Sequence, residues 1–311
     1  MKRIIIVILA LIAILVGFFL MNQFLPWFYY PTEVAVHGHG GKYDEAIYLY
    51  NLRLNKLSRL TPENVMALHP SWSPNSKELA YIYRIGDIET GIQIIKDLND
   101  TTKVITPLTI GPTGSYDIWD WHSRLAWSPD GKQILFNAFS QQGEEALYML
   151  NIEGGDVQRL SIPLDPTSRY FLNLAWSPSA TPVIEVNMKL YLVDLEKQQL
   201  KYLADGVYPF WSPDGKELTY FCVSPRLILC GIKSDGTGKR IISQNTSKNV
   251  DTEGGISWSP DGRFLAYFET HGESGPAYLI LLDLKTGLLH RVYKANWLAK
   301  IILDEVQISP K

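Results

Sequence analysis

The chain has 311 residues, 46% hydrophobic and 12% aromatic, with a formal charge of −3 at pH 7. That is ample material for one large core or two ordinary ones. The near balance of charge gives no basic stripe for nucleic acid, and two cysteines are too few for a disulfide scaffold or a cysteine metal site.

In chain order, Met1–Arg3 carries two positive charges, followed by an uninterrupted apolar run from Ile4 to Met21. At 1.5 Å per residue that run rises roughly 27 Å, and continuing to Leu25 lets it cross a bilayer core of about 30 Å. Trp27-Phe28-Tyr29-Tyr30 places aromatics where an interface belt sits, and no Lys or Arg follows until Lys42. The expected organisation is a cytoplasmic stub (1–3), a transmembrane signal-anchor helix (4–25), a juxtamembrane linker (26–31) and an extracytoplasmic domain (32–311), periplasmic or at the cell surface. The alternative is a cleaved signal and a secreted domain. The length of the run and the lack of a small-x-small site after it favour the anchor.

From Thr32 to Leu60 three strands are expected: Glu33–His37, Ala46–Tyr50 and Leu57–Leu60. The His37-Gly-His-Gly-Gly41 stretch reads as the hairpin loop between the first two. No nucleophile elbow accompanies it, and the other histidines are scattered without metal-ligand spacing.

Beyond this point one tag repeats. Trp127-Ser-Pro-Asp-Gly-Lys132, Trp211-Ser-Pro-Asp-Gly-Lys216 and Trp258-Ser-Pro-Asp-Gly-Arg263 are full copies. Trp72-Ser-Pro-Asn-Ser-Lys77 and Trp176-Ser-Pro-Ser179 are weaker ones, and Ile308-Ser-Pro-Lys311 is the last. The markers stand 35 to 55 residues apart, a period that belongs to propellers and solenoids. Pro presets the φ of a type I turn, and Gly supplies the left-handed residue that closes a short hairpin. The tryptophans Trp72, Trp127, Trp176, Trp211 and Trp258 are thus expected to be structural, packing between neighbouring sheets. Each tag is followed by an apolar strand such as Glu217–Cys222, a second such as Tyr278–Asp283, and a short basic one such as Val157–Leu160.

The tag and the strands that follow it resemble the propeller repeat of the TolB-like family, from about Thr32 onward. The resemblance implies an all-β six-bladed propeller. Blades begin near Leu68, Leu125, Leu172, Val207 and Gly255, and a sixth is shared: Glu33–Leu60 lacks a first strand, and Val306–Ser309 supplies one. Lys294–Asp304 reads as a short helix before that closing strand.

Two further features are open at this level. Cys222 and Cys230 flank a hairpin. A three-residue loop centred on Arg226 would set them directly opposite, as a disulfide or as two small apolar residues. The long connection from Leu108 to His122 holds Tyr116, Trp119, Trp121 and His122, and Trp297 lies in another connection on the same propeller face. Tyr170, Phe171, Tyr208 and Phe210 lie in or beside further connections. These aromatics, Tyr116, Trp119, Trp121, His122 and Trp297, are the candidate binding residues, with burial in the blade ends as the alternative. The functional expectation is a membrane-anchored binding module for a protein or a cell-envelope polymer, without metal or other cofactor. The competing class is a glycan-active enzyme using the central funnel, as propeller lyases that resemble this repeat do.

Overall fold

The computed structural model describes residues 33–308 except 40–44, 76, 87–88, 99–103, 111–115, 118–123, 141–144, 163–170, 180, 224–226, 244–255, 271–276 and 296–301. Residues 1–32, which contain the expected anchor and linker, lie outside the described residues, and no helix long and apolar enough to cross a membrane occurs among those described.

The described chain is all β. The first group is β1 (Glu33–His39), β2 (Glu45–Asn51) and β3 (Lys56–Arg59). Next come β4 (Met66–Trp72), β5 (Leu79–Ile85), β6 (Glu89–Ile95) and β7 (Val104–Ile110). The third contains β8 (Tyr116–Asp117), β9 (Leu125–Trp127), β10 (Gln133–Ser140), β11 (Glu145–Asn151) and β12 (Val157–Arg159). The fourth is β13 (Phe171–Trp176), β14 (Pro182–Val186), β15 (Lys189–Asp194) and β16 (Gln199–Asp205). The fifth is β17 (Val207–Trp211), β18 (Glu217–Val223), β19 (Leu227–Lys233) and β20 (Arg240–Ser243). The sixth is β21 (Ile256–Trp258), β22 (Phe264–Thr270), β23 (Ala277–Asp283) and β24 (Leu289–Ala295), after which β25 (Ile302–Ile308) follows. Every sheet is antiparallel; the second, fourth, fifth and sixth are four-stranded meanders, in the third β8 and β9 both pair with β10, and in the first β25 lies beside β1, with Val34 opposite Ile308 and Val36 opposite Val306.

Both faces of each sheet are buried, because side chains alternate across a strand and each face meets a different neighbour. Along β10, Ile134, Phe136 and Ala138 pack with Ile82 and Ile94 of the second blade, while Leu135 packs with Leu174 and Ile184 of the fourth. The same holds around the ring. The fourth and fifth blades share a core through Val183 and Leu218, and the fifth and sixth through Phe221 and Leu265. The sixth meets the first through Phe264 and Tyr48, and the first meets the second through Ile47 and Tyr81. Six blades in cyclic contact are a propeller.

The tag's chemistry is visible at each turn. Ser128 Oγ donates to Asp130 Oδ1 (2.6 Å) and accepts from the Gln133 amide (2.9 Å), while Asp130 Oδ1 also accepts from the Lys132 amide (3.1 Å). Ser212 with Asp214 and Ser259 with Asp261 repeat this pattern. Asn75 fills the same acceptor role at 2.9 Å from Ser73 Oγ and from the Lys77 amide, so replacing Asp there keeps the turn. Gly131, Gly215 and Gly262 have φ of 71°, 67° and 69°, the left-handed conformation the tag anticipates. The bond from Ser128 holds the Asp130 carboxyl below its ordinary range.

Four local expectations are corrected. Lys294 and Ala295 belong to β24 and Ile302 to Asp304 to β25, so the ends of the expected helix are strand. His37 and His39 continue β1, paired with Ile47 and Glu45, so the loop starts later than the glycines implied. Tyr116–Asp117 is a strand on β10, not loop. Finally, β18 and β19 pair Val223 with Leu227, so Cys222 lies opposite Ile228 and Cys230 opposite Tyr220. This pairing is shifted by one residue from the expected register, in which Cys222 stands opposite Cys230. Cys222 and Cys230 are diagonal neighbours on one face, their Cα atoms 5.8 Å apart and their sulfurs bonded.

Candidate functional site

The inner strands β4, β9, β13, β17 and β21 each run toward a tag and end on its tryptophan. The turns that follow them share one face of the ring with the third-to-fourth-strand hairpins; the blade connections lie on the other. Rotational repetition therefore brings all five tag tryptophans around one cavity of about 450 Å³ at the tag face. The tag prolines, Ser177 and Ser212 of the tags, and inner-strand residues such as Leu125, Leu174 and Phe210 complete its wall, and no charged residue stands among the described residues lining it. Neighbouring tags lie close together: a Cβ added at Gly215 would stand 3.0 Å from Ser177 Oγ. Trp127 Nε1 donates to the Ser71 carbonyl of the preceding blade at 2.9 Å. The Nε1 atoms of Trp176, Trp211 and Trp258 are shielded from solvent and have no hydrogen-bond partner, so the cavity is offered ring surface more than donors. Sequence reasoning gave these residues a packing role. Their position at the same inner-strand end of each repeat was the signal that they also form one ring.

A second arrangement lies three residues back along the inner strands. His69, Arg124, Asn173 and Tyr208 occupy the same register, each three before a tag tryptophan. His69 and Tyr208 each precede a proline and have φ of 54° and 55°, a costly backbone for non-glycine residues. The ladders slip there, between Leu68 and Ser71 and between Val207 and Phe210. Arg124 Nη1 lies 2.9 Å from His69 Nδ1 across the second and third blades. The Arg124 amide donates to Asn137 Oδ1 (2.9 Å), and Asn137 Nδ2 donates to Glu145 Oε1 (2.8 Å). Glu185 is fully buried. Its Oε2 accepts from Asn173 Nδ2 (2.8 Å) and from the Tyr208 amide of the next blade (2.9 Å), while Oε1 has no partner.

Burial pushes the Glu185 carboxyl above its ordinary range, against the Tyr208 amide, the Asn173 side chain and the Arg124 charge, which pull it down. The linkage follows. Below the ordinary carboxylate pKa both folded and unfolded states hold the proton and the group is neutral to stability. As pH rises, the unfolded chain releases its proton first, so stability falls until pH passes the raised folded value. Glu185→Gln is therefore expected to gain in melting temperature over the parent as pH rises from about 4 toward 7, read by thermal unfolding at each pH. A difference independent of pH contradicts the shift.

Of the residues expected to bind, Tyr116 stands in β8 opposite Ser140. Trp119, Trp121, His122 and Trp297 lie outside the described residues, as does Tyr170. Phe210, expected at the connection face, instead lines the cavity at the tag face, because β17 runs on to Trp211. Among the described residues no three His, Cys, Asp or Glu side chains converge.

No family model matches the chain. It is 27% identical over 186 residues to an uncharacterised protein of Agrobacterium fabrum, a match that takes in 52% of this chain and 57% of that one, little more than half of the relative's length. Among solved structures, TolB from Acinetobacter baumannii superposes with a TM-score of 0.65 at 14% identity, covering 88% of this chain and 67% of that one. An oligogalacturonate lyase in complex with manganese superposes with a TM-score of 0.57 at 14% identity, covering 79% and 70%. The blade count, the antiparallel pairing of each sheet and these superpositions agree: the chain has the six-bladed β-propeller fold of TolB.

Proposed function

We propose that this chain is a membrane-anchored, extracytoplasmic propeller that works as a binding module for a protein or a cell-envelope polymer, held at the membrane by Ile4–Leu25. The observation that carries the binding reading is the commitment of the inner polar groups to one another. Arg124 is held by His69 and Glu185 by Asn173 and Tyr208, across successive blades, which makes them a rigid hub beneath the connection face. Partners then meet the aromatic connections around Tyr116, Trp119, Trp121, His122 and Trp297. A solved TolB structure is a neighbour in fold, which is compatible with an envelope role.

A second reading, a glycan-active enzyme using the funnel, draws on one feature: Glu185 has an unpartnered oxygen and a carboxyl pushed upward, the condition of a general acid. An oligogalacturonate lyase shares the fold. Incubating the purified full-length chain with cell-wall polymer and with acidic polysaccharide separates the two. Retention of polymer with no new chain ends supports the module; new ends, lost in Glu185→Gln, support the enzyme.

Two structural elements belong to the same proposal. The ring is closed by a blade shared between both ends of the propeller, supported by the β25–β1 ladder and by β25 lying against β4 and β21. The Cys222–Cys230 bond forms in an oxidising compartment, supported by their 5.8 Å Cα separation. Thiol titration of unfolded, unreduced protein is expected to find no free thiol; two free thiols contradict the bridge. For the anchor, the intact mass of membrane-extracted protein should include Met1 or Lys2, whereas a chain starting after residue 22 contradicts it.

A further inference from the structure

The tag-face cavity has an orientation relative to the membrane that its lining alone does not reveal. Strand β1 starts at Glu33 on the tag face, since Val34 pairs with Ile308 at one end and His39 with Glu45 at the far hairpin. The chain therefore reaches the propeller at the tag face, and only residues 26–32 separate the expected span from Glu33. Extended, seven residues bridge at most about 25 Å, so an anchored chain holds this face against the bilayer. Two independent features of the face match that setting. Leu54 is 71% exposed and Leu288 59%, and both sit in third-to-fourth-strand hairpins of the first and sixth blades, which pack together. The cavity itself is walled by tryptophan, proline, leucine, phenylalanine, alanine and serine, with no charged residue among the described ones. The other exposed apolar residues, such as Met188 on the opposite face, are scattered.

From this geometry we infer that the tag-face cavity is a lipid site: resting on the anchored reading, it takes one acyl chain of a membrane phospholipid, while Leu54 and Leu288 touch the headgroup layer. The volume of about 450 Å³ falls within the roughly 300–1,000 Å³ of pockets that bury small apolar ligands. The indole nitrogens of Trp176, Trp211 and Trp258 are shielded from solvent, and Trp127 Nε1 is spent on the Ser71 carbonyl, so these four tryptophans offer an occupant apolar ring in place of N–H donors, which favours an alkyl chain over a ligand whose hydroxyls require partners. Around the cavity the rim carries both signs, as with Lys216 and Asp214 at 3.3 Å, in keeping with zwitterionic headgroups.

The test uses the full-length chain in nanodiscs containing phosphatidylcholine with a diazirine near the end of one acyl chain, followed by photolysis and peptide mapping. Label is expected in residues 4–25 and also in the segments Leu125–Trp127, Leu174–Trp176 and Phe210–Trp211. Ala175→Asp, which sets a charge in the cavity wall, is expected to cut the propeller label roughly tenfold and leave the label in 4–25 unchanged, with near-ultraviolet circular dichroism confirming its fold. Label confined to 4–25 in the parent chain overturns the lipid site and leaves the anchor standing. Label in neither region overturns both.

Discussion

Trp127→Ala is expected to cost about 3–5 kcal/mol, the range for truncating a large buried aromatic, against a total stability of about 5–15 kcal/mol for a folded protein. The side chain is 5% exposed and packs into the core shared by the second and third blades. Its loss opens a void at that seam and removes the hydrogen bond that crosses it from Trp127 Nε1 to the Ser71 carbonyl. Trp211→Ala, in the core shared by the fourth and fifth blades, should behave alike. Trp127→Phe retains much of the packing and should lose less. Urea unfolding followed by far-ultraviolet circular dichroism measures the difference. An unchanged midpoint for Trp127→Ala, together with a lost binding activity, contradicts a structural role for the tag.

The second large effect is expected from ending the chain after Asp304. The cut removes the partners of Val34, Ala35, Val36 and His37 in the β1 ladder. At about 1 kcal/mol for each backbone hydrogen bond lost, plus the apolar cover that β25 gives β4 and β21, several kcal/mol are at stake. It also leaves an open inner edge that invites association with other chains. The truncated chain should unfold at lower denaturant in a broader transition, or aggregate. Deleting residues 112–115, between β7 and β8, removes no ladder and should be milder. Equal stability of the Asp304 truncation and the parent contradicts the shared blade.

Fold and site were unequally legible in the sequence, for physical reasons. A tag that encodes its own hairpin, with Ser, Asp and Gly each holding a fixed bond or φ, announces each blade and its inner strand. The ring follows from repetition. Register inside a hairpin is weaker information: nothing in Val223–Leu229 marks one register over the next, so Cys222 and Cys230 were set opposite instead of diagonal. The inner polar group was missed because its members, His69, Arg124, Asn173 and Glu185, are far apart in sequence and of different types. Only counting back three residues from each tag tryptophan aligns His69, Arg124 and Asn173. The aromatic cavity was hidden by its own regularity, since a tryptophan that recurs with the fold reads first as core.

A binding module of this kind meets its partner at the connection face, and site-specific photo-crosslinking tests that most directly. A photoreactive phenylalanine analogue placed at Tyr116, Trp121 or Trp297 in the full-length chain, irradiated in intact cells, is expected to give a discrete adduct with one protein or envelope polymer. The same analogue at Tyr202, exposed on the outer strand β16, should give none. Adducts of equal yield at Tyr202, or none at any of the three connection-face positions, would contradict the binding module.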